Sequence, residues 1–278
     1  MNWFLVDSII KNALLEDIPN EDITTVNTIR GDSKSSVDLI AKENGIIAGL
    51  EVFERVFRLL GDVCVECYVS DGDRVAEGQI LGKITGNTRA ILSGERTALN
   101  FLQRMSGIAT LTNQFVAKLA GTHTKLLDTR KTTPNLRLLE KYAVKVGGGC
   151  NHRFNLSDGV LLKDNHISAA GGIRNAINLV RANASFVRKI EVETETIEQV
   201  QEALEAGADI IMLDNMDLKT MKEAVRMINK RVVTEASGNI TLDSIADVAA
   251  CGVDYISTGA VTHSFKVLDI SMKNLKNI

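Results

Sequence analysis

The sequence predicts an α/β protein in which a β-rich amino-terminal module precedes a parallel sheet wound with helices. Three observations carry that expectation. After Gly121 the chain repeats one unit six times: a short apolar strand, a polar residue at its end, then an amphipathic helical pattern. Before residue 120, short β-like pieces alternate instead with glycine-marked turns. The 278 residues are 45% hydrophobic and 24% charged, the balance of a globular chain with a sizeable core.

The first segment, MNWFLVDSIIKNALLED, sets Trp3, Phe4, Ile9, Ile10, Ala13 and Leu14 at helical spacing and has no basic leader, so it reads as a folded amphipathic helix, not a signal peptide. The pieces VDLIAKENGIIAG and DVCVECYVSDGDRVAEGQILGKITG follow, with the look of half a lipoyl or biotinyl carrier. They lack a lysine at a hairpin tip with recognition residues, and a packing module is the expectation. Cys64 and Cys67 form a C-x-x-C in this β-rich stretch, but no second pair or neighbouring His completes a zinc site. Four cysteines make no disulfide framework, and a reducing, cytoplasmic setting is expected. The sequons at Asn155, Asn183 and Asn239 carry no weight without a secretory signal.

A helix is expected from Ser93, as N-cap, to Ala120, stopped by Gly121 and divided at Gly107, bridging two domains. The six strands beyond it are 125–128, 159–164, 189–193, 209–214, 232–237 and 254–259. Parallel strands with right-handed crossovers imply a barrel or barrel-like closure. EAGADIIMLDN at 205–215 and ACGVDYISTGA at 250–260 echo one another weakly.

In barrels of this kind, chemistry gathers at the carboxyl ends of the strands. Those ends carry Asp128-Thr129-Arg130-Lys131, Lys163-Asp164-Asn165-His166, Glu191 and Glu193, Asp214-Asn215, Glu235 with Ser237-Gly238, and Ser257-Thr258-Gly259. The net charge is −3, yet residues 128–166 hold seven Lys/Arg against four acids, leaving −6 elsewhere. Lys141 and Lys145 read as a solvated helix face. Arg130, Lys131, Arg153 and Lys163 fall at strand ends or beside Gly147-Gly148-Gly149, where converging cations suit a small polyanion. Glu193 and Asp214 are oxygen donors fit for Mg²⁺, or else salt-bridge partners. The SGN and STGA turns at 237–239 and 257–260 offer backbone N–H groups for phosphate. Absent are G-x-G-x-x-G, a P-loop, a G-x-S-x-G elbow and H-E-x-x-H. The charge balance argues against a nucleic-acid scaffold, and no apolar run reaches the ~18 residues of a membrane helix.

ERTALNFLQRMSGIAT (95–110), DTRKTTPNLRLLEKYAVKVGGGCNHRFNLSDGVLLKDNH (128–166), EVE (191–193), MLDN (212–215), EASGNI (235–240) and STGAVTHS (257–264), with EDITT at 21–25, resemble the quinolinate phosphoribosyltransferase family. The resemblance covers almost the whole chain. It implies an α/β sandwich domain (1–110, with the tail 266–278 against it) and an open α/β barrel (111–265). It also implies transfer of phosphoribosyl from phosphoribosyl pyrophosphate to quinolinate with decarboxylation and Mg²⁺, a step of NAD synthesis. Arg130, His152, Arg153 and Lys163 match the surroundings of quinolinate's carboxylates, with Thr129 beside them. Lys131 matches a lysine near the pyrophosphate, and Glu193 and Asp214 the ribose and metal acids. Ser237-Gly238-Asn239 and Thr258-Gly259-Ala260 match the 5-phosphate loops. Arg96 matches an arginine donated by the partner of a homodimer. Lys131, Lys163, Glu193 and Asp214 are thus the expected catalytic set. Asn135 stands after Pro134 where the family has Gly, and EVETET is unusually polar after Glu193. Weighed against this are a nicotinate-specific enzyme or a molybdenum-transport relative of the same fold, which would leave part of the dicarboxylate-directed charge unpaired, and a non-catalytic ligand sensor, which would need a broken site.

Overall fold

The computed structural model describes residues 1–278. In chain order the elements are α1 (Trp3–Asp17), α2 (Ile23–Thr28), β1 (Lys34–Ala41), β2 (Gly45–Ile46), α3 (Leu50–Leu60), β3 (Val63–Cys67), β4 (Arg74–Val75), β5 (Ile80–Asn87) and α4 (Thr88–Lys118). There follow β6 (Lys125–Leu127), α5 (Arg137–Val146), β7 (Val160–Leu162), α6 (Asp164–Ala170), α7 (Ile173–Asn183), β8 (Ile190–Thr194) and α8 (Ile197–Glu205). The chain ends with β9 (Ile210–Asp214), α9 (Leu218–Ile228), β10 (Val233–Ser237), α10 (Ile245–Ala249), β11 (Tyr255–Ser257), α11 (Ala260–His263) and β12 (Ile270–Asn277).

Two units emerge: residues 1–113, 132–148 and 264–278 form one, and residues 114–131 and 149–263 the other. The first holds an antiparallel sheet in the order β12-β1-β5-β3 and a two-stranded β2-β4 ribbon. Alternation along β1 buries Ser35, Val37, Leu39 and Ala41 on one face. Helix α3 buries Leu50, Val52, Phe53, Val56 and Phe57, a broad apolar stripe. Asp71 caps it, accepting from the Gly49 and Leu50 N–H groups at 2.8 and 3.0 Å. On α1 the buried face is Val6, Ile10 and Leu14; Phe4, one of the residues read as apolar-face, is 91% exposed.

The structure differs from the sequence expectation at three places. Helix α4 begins at Thr88, not Ser93, because the Asn87 side chain accepts from the Ala90 N–H at 3.1 Å, and the Ser93 hydroxyl donates to Asp22 at 2.9 Å. Gly107 does not divide the helix; a Cβ there would lie 2.3 Å from the Lys266 carbonyl oxygen, so glycine permits a close backbone approach. Lys141 is buried, not on a solvated face, whereas Lys145 is exposed.

Segment 132–148, assigned from sequence to the barrel, packs within the first unit. Glu140, fully buried, accepts from Arg104 at 3.0 and 2.5 Å and from the Thr133 N–H at 3.1 Å; Tyr142 donates to Asp71 at 2.8 Å; and Gly147 abuts Ala109. Asn135, where the resemblance leads to the expectation of a glycine, takes φ 66°, a left-handed conformation that Asn tolerates.

The second unit is a six-stranded parallel sheet in the order β6-β11-β10-β9-β8-β7. β6 and β7 remain edges, so the barrel is open. Period-2 alternation turns Val192, Leu213 and Ala236, all fully buried, away from the cavities that Glu191, Glu193, Met212, Asp214, Glu235 and Ser237 line. Each of the six strands lies within the span read from the sequence or overlaps it to within a residue.

Candidate active site

A cavity of about 490 Å³ sits at the carboxyl ends of these strands. Its lining brings together Thr129, Arg130, Lys131, His152, Arg153, Lys163, Glu193, Asp214, Ser237, Gly238 and Asn239, all expected from sequence. Parallel strands aim their loops the same way, which is why residues 110 positions apart meet.

The cationic side is held from below. Asp128, fully buried at the end of β6, accepts from the Asn151 amide at 2.6 Å and the His152 N–H at 2.8 Å, pinning the loop that carries His152 and Arg153. Arg153 donates to the Gly159 carbonyl at 3.0 Å. Burial, and then the neighbouring Arg130 charge, lower the affinity of its guanidinium for a proton. Two guanidiniums crowded in this way favour an anionic ligand between them. The Lys131 carbonyl accepts from the Thr262 hydroxyl at 2.8 Å, and the Lys131 stem would lie 2.9 Å from a Cβ at Gly259. Thr258, Gly259 and Ala260 stand next to this cavity but do not line it; the Thr258 hydroxyl accepts from the Ala260 N–H at 3.2 Å.

On the acidic side, Glu193 and Asp214 close β8 and β9. Lys163 Nζ meets Glu193 Oε2 at 2.6 Å, with the carboxylate only 10% exposed. Asp214 accepts from the Asn215 amide at 2.7 Å, Asn215 in turn accepts from Asn239 at 3.2 Å, and the Asn215 N–H donates to the Ser237 carbonyl at 3.0 Å. Gly238, at φ 101°, presses on Asn215: a Cβ would stand 2.2 Å from its Oδ1. Two carboxylates on adjacent strand ends are hard oxygen donors, and the Glu193 oxygen not bonded to Lys163 is available, so the set fits Mg²⁺. Arg96 is not in this cavity. It is exposed on α4 and lines a groove of about 610 Å³ within the first unit, beside Asn100 and Arg104.

One layer deeper lie Glu191 and Glu235, two acids that the sequence reading placed at strand ends without a role. They are 5% and 3% exposed, and His152 Nε2 reaches them at 3.2 and 3.5 Å. The three ligand atoms fall within 4.8 Å of one another. Burial, followed by the Glu191 charge, pushes the Glu235 carboxyl up to about 8. The sequence carried a signal for this layer: E-V-E at 191–193 and E-A-S at 235–237 repeat at a period of two, so whichever residue faces the rim has its partner two before it on the same face.

Comparison with known proteins fits this geometry. Residues 22–106 match the N-terminal domain, and residues 108–273 the C-terminal domain, of quinolinate phosphoribosyl transferase. The chain belongs to the quinolinate phosphoribosyltransferase family. It is therefore a phosphoribosyltransferase, in the glycosyltransferase class of enzymes. A probable nicotinate-nucleotide pyrophosphorylase [carboxylating] from Bacillus subtilis is 45% identical over 273 residues, 98% of this chain and 94% of the relative. A quinolinate phosphoribosyltransferase [decarboxylating] from Nicotiana tabacum is 47% identical over 95% of this chain and 81% of its own length. The crystal structure of NadC from Streptococcus pyogenes superimposes with a TM-score of 0.97 at 48% identity, covering 100% of this chain and 99% of that one.

Proposed function

We propose that the chain transfers the phosphoribosyl group of phosphoribosyl pyrophosphate to the ring nitrogen of quinolinate and releases pyrophosphate, CO₂ and nicotinate mononucleotide. The observation that carries this reading is the single cavity in which Arg130, Lys131, Arg153 and Lys163 face Glu193 and Asp214. A dicarboxylate and a polyphosphate together bring more negative charge than one or two cations offset. Arg130, Arg153 and Lys163 hold the two carboxylates, with His152 lining the cavity beside them; Lys131 lies toward the pyrophosphate; the 237–239 turn takes the 5-phosphate, with the 258–260 turn next to it. Magnesium, held by Glu193 and Asp214, would offset charge on the departing pyrophosphate. As the ribosyl–oxygen bond breaks, positive charge grows on the sugar, and the Glu193 carboxylate stabilises it while Lys163 fixes that carboxylate's position. Positioning and electrostatics carry the reaction, with no covalent intermediate.

The active unit is a homodimer in which Arg96 of one subunit completes the other's site; its exposure on a groove free of the remaining site residues supports this. The setting is cytoplasmic, consistent with four free cysteines, and no helix is long and apolar enough to cross a membrane. The test is incubation with phosphoribosyl pyrophosphate, Mg²⁺ and either quinolinate or nicotinate, following CO₂ and mononucleotide. Product from quinolinate alone supports the reading; product from nicotinate alone, or none, refutes it.

A further inference from the structure

Behind the substrate cavity lies a second one of about 350 Å³, lined at the amino ends of the strands by Lys125, Lys189, Ile210, Val233 and Tyr255. Lys125 and Lys189 are exposed, so solvent reaches it. Only the His152, Arg153 and Glu235 side chains line both cavities. His152 is committed on both ring nitrogens: Nδ1 accepts from the Arg153 N–H at 2.6 Å, which assigns the ring proton to Nε2, and Nε2 faces the two acids. Glu235 is different. Its Oε1 is buried and meets no hydrogen-bond partner, an arrangement that costs stability unless the oxygen has another use.

We propose that Glu235 is the general acid that protonates the ring carbon from which CO₂ departs, and that the rear cavity returns its proton from water. This rests on the quinolinate reading above. In the step, the bond from the ring carbon to the carboxylate breaks and its electron pair stays on that carbon, beside the new pyridinium. The Glu235 O–H bond breaks, its proton forms the new C–H bond, and a carboxylate remains until water reprotonates it. CO₂ held beside the carbanion recombines unless a proton arrives quickly, so a fixed acid commits the step forward. The groups facing Glu235 are Glu191 from β8, Ser257 from β11, and His152 and Arg153 from their loop. Burial and the Glu191 charge favour its protonated form, while the neighbouring His152 ring and the Ser257 hydroxyl oppose it; the balance is a carboxyl that stays protonated to about 8. A neutral acid also spares an incoming dicarboxylate the repulsion of a second floor charge.

The experiment is a single turnover with quinolinate, phosphoribosyl pyrophosphate and Mg²⁺, recording pyrophosphate and CO₂ in the same mixture. In Glu235→Gln the CO₂ released per pyrophosphate in the first turnover should fall at least about tenfold, with quinolinate mononucleotide accumulating. Wild-type protein offers a check that needs no variant: the rate of CO₂ release relative to pyrophosphate should fall as pH rises past about 8. A CO₂-to-pyrophosphate ratio of one in the Gln variant, or both products falling together, overturns the assignment, as does a wild-type ratio flat with pH. Wild-type protein that yields no CO₂ from quinolinate would instead sink the substrate reading itself.

Discussion

Replacing Gly238 by alanine tests whether the turn after β10 positions a phosphate. Gly238 has φ 101°, where an L side chain is strained by roughly 1–2 kcal/mol. The added methyl would stand 2.2 Å from Asn215 Oδ1, 2.6 Å from its Cγ and 2.8 Å from its backbone nitrogen. Asn215 has little room to yield, because it is itself at φ 53° and its N–H is bonded to the Ser237 carbonyl. Relieving the overlap needs a shift of about 1 Å, and overpacking of this kind costs about 1–3 kcal/mol. The sum, about 2–5 kcal/mol, falls on the two loops that carry Asp214 and Asn239. A misplacement of that size lowers turnover about 10²-fold when it reaches a reacting group. Steady-state kinetics with each substrate varied in turn should show KM for phosphoribosyl pyrophosphate raised and KM for quinolinate little changed. Wild-type kinetics together with an unchanged melting temperature would refute the geometry.

Three further outcomes follow from the same contacts. Lys163→Ala should abolish most turnover while far-UV circular dichroism and melting stay near wild type, since Lys163 is half-exposed and its partner Glu193 remains hydrogen-bond competent; wild-type-like turnover removes Lys163 from the site. Mixing Arg96→Ala with Lys163→Ala subunits should restore about a quarter of wild-type activity if Arg96 acts across a two-fold interface, and none if it acts within its own chain. Glu140→Ala should destabilise by about 3 kcal/mol in denaturant titrations, the low end for a broken buried pair because Arg104 keeps 28% exposure; a double variant with apolar residues at 104 and 140 should recover most of the loss.

How legible the molecule was depends on how local the cause is. The six parallel strands announce themselves because apolar runs, polar ends and amphipathic helices are short-range patterns, and the cations of Arg130, Lys131, Arg153 and Lys163 follow from those strand ends. The grouping of 132–148 with the first unit was not legible: α5 shows an amphipathic pattern that any neighbour could satisfy, and what holds it is Arg104, 36 positions away, together with Asp71 beneath Tyr142. Lys141 misled for the same reason, since a helical lysine is normally a surface group. The start of α4 differs from the Ser93 expectation because Asn87 caps the helix earlier in the chain and a distant residue, Asp22, claims the Ser93 hydroxyl.

Asp22 also gives the chain a titratable clasp whose sign can be worked out. Its carboxylate accepts from the Thr25 hydroxyl and N–H, at 2.5 and 2.9 Å, and from Ser93, tying the N-terminus of α2 to α4. These bonds, those from Thr25 first, hold its carboxyl below the ordinary value. A group whose folded pKa is depressed binds its proton more readily when unfolded. Its contribution to stability is therefore full above the unfolded value, near pH 4, and drains away as pH falls through the lowered folded value. Melting temperatures followed from pH 5 downward should drop less steeply in Asp22→Asn than in wild type, because the amide keeps an acceptor for Thr25 but has no proton to bind. Parallel slopes in the two proteins would mean that the clasp is equally intact in the unfolded chain or unimportant in the folded one. A shallower slope in the variant sets this carboxylate apart from Glu235, whose raised affinity makes it lose its proton only on the alkaline side. The two acids act on opposite sides of the pH axis: Asp22 contributes to holding the first unit together as pH falls, and Glu235 supplies a floor proton until pH rises past about 8.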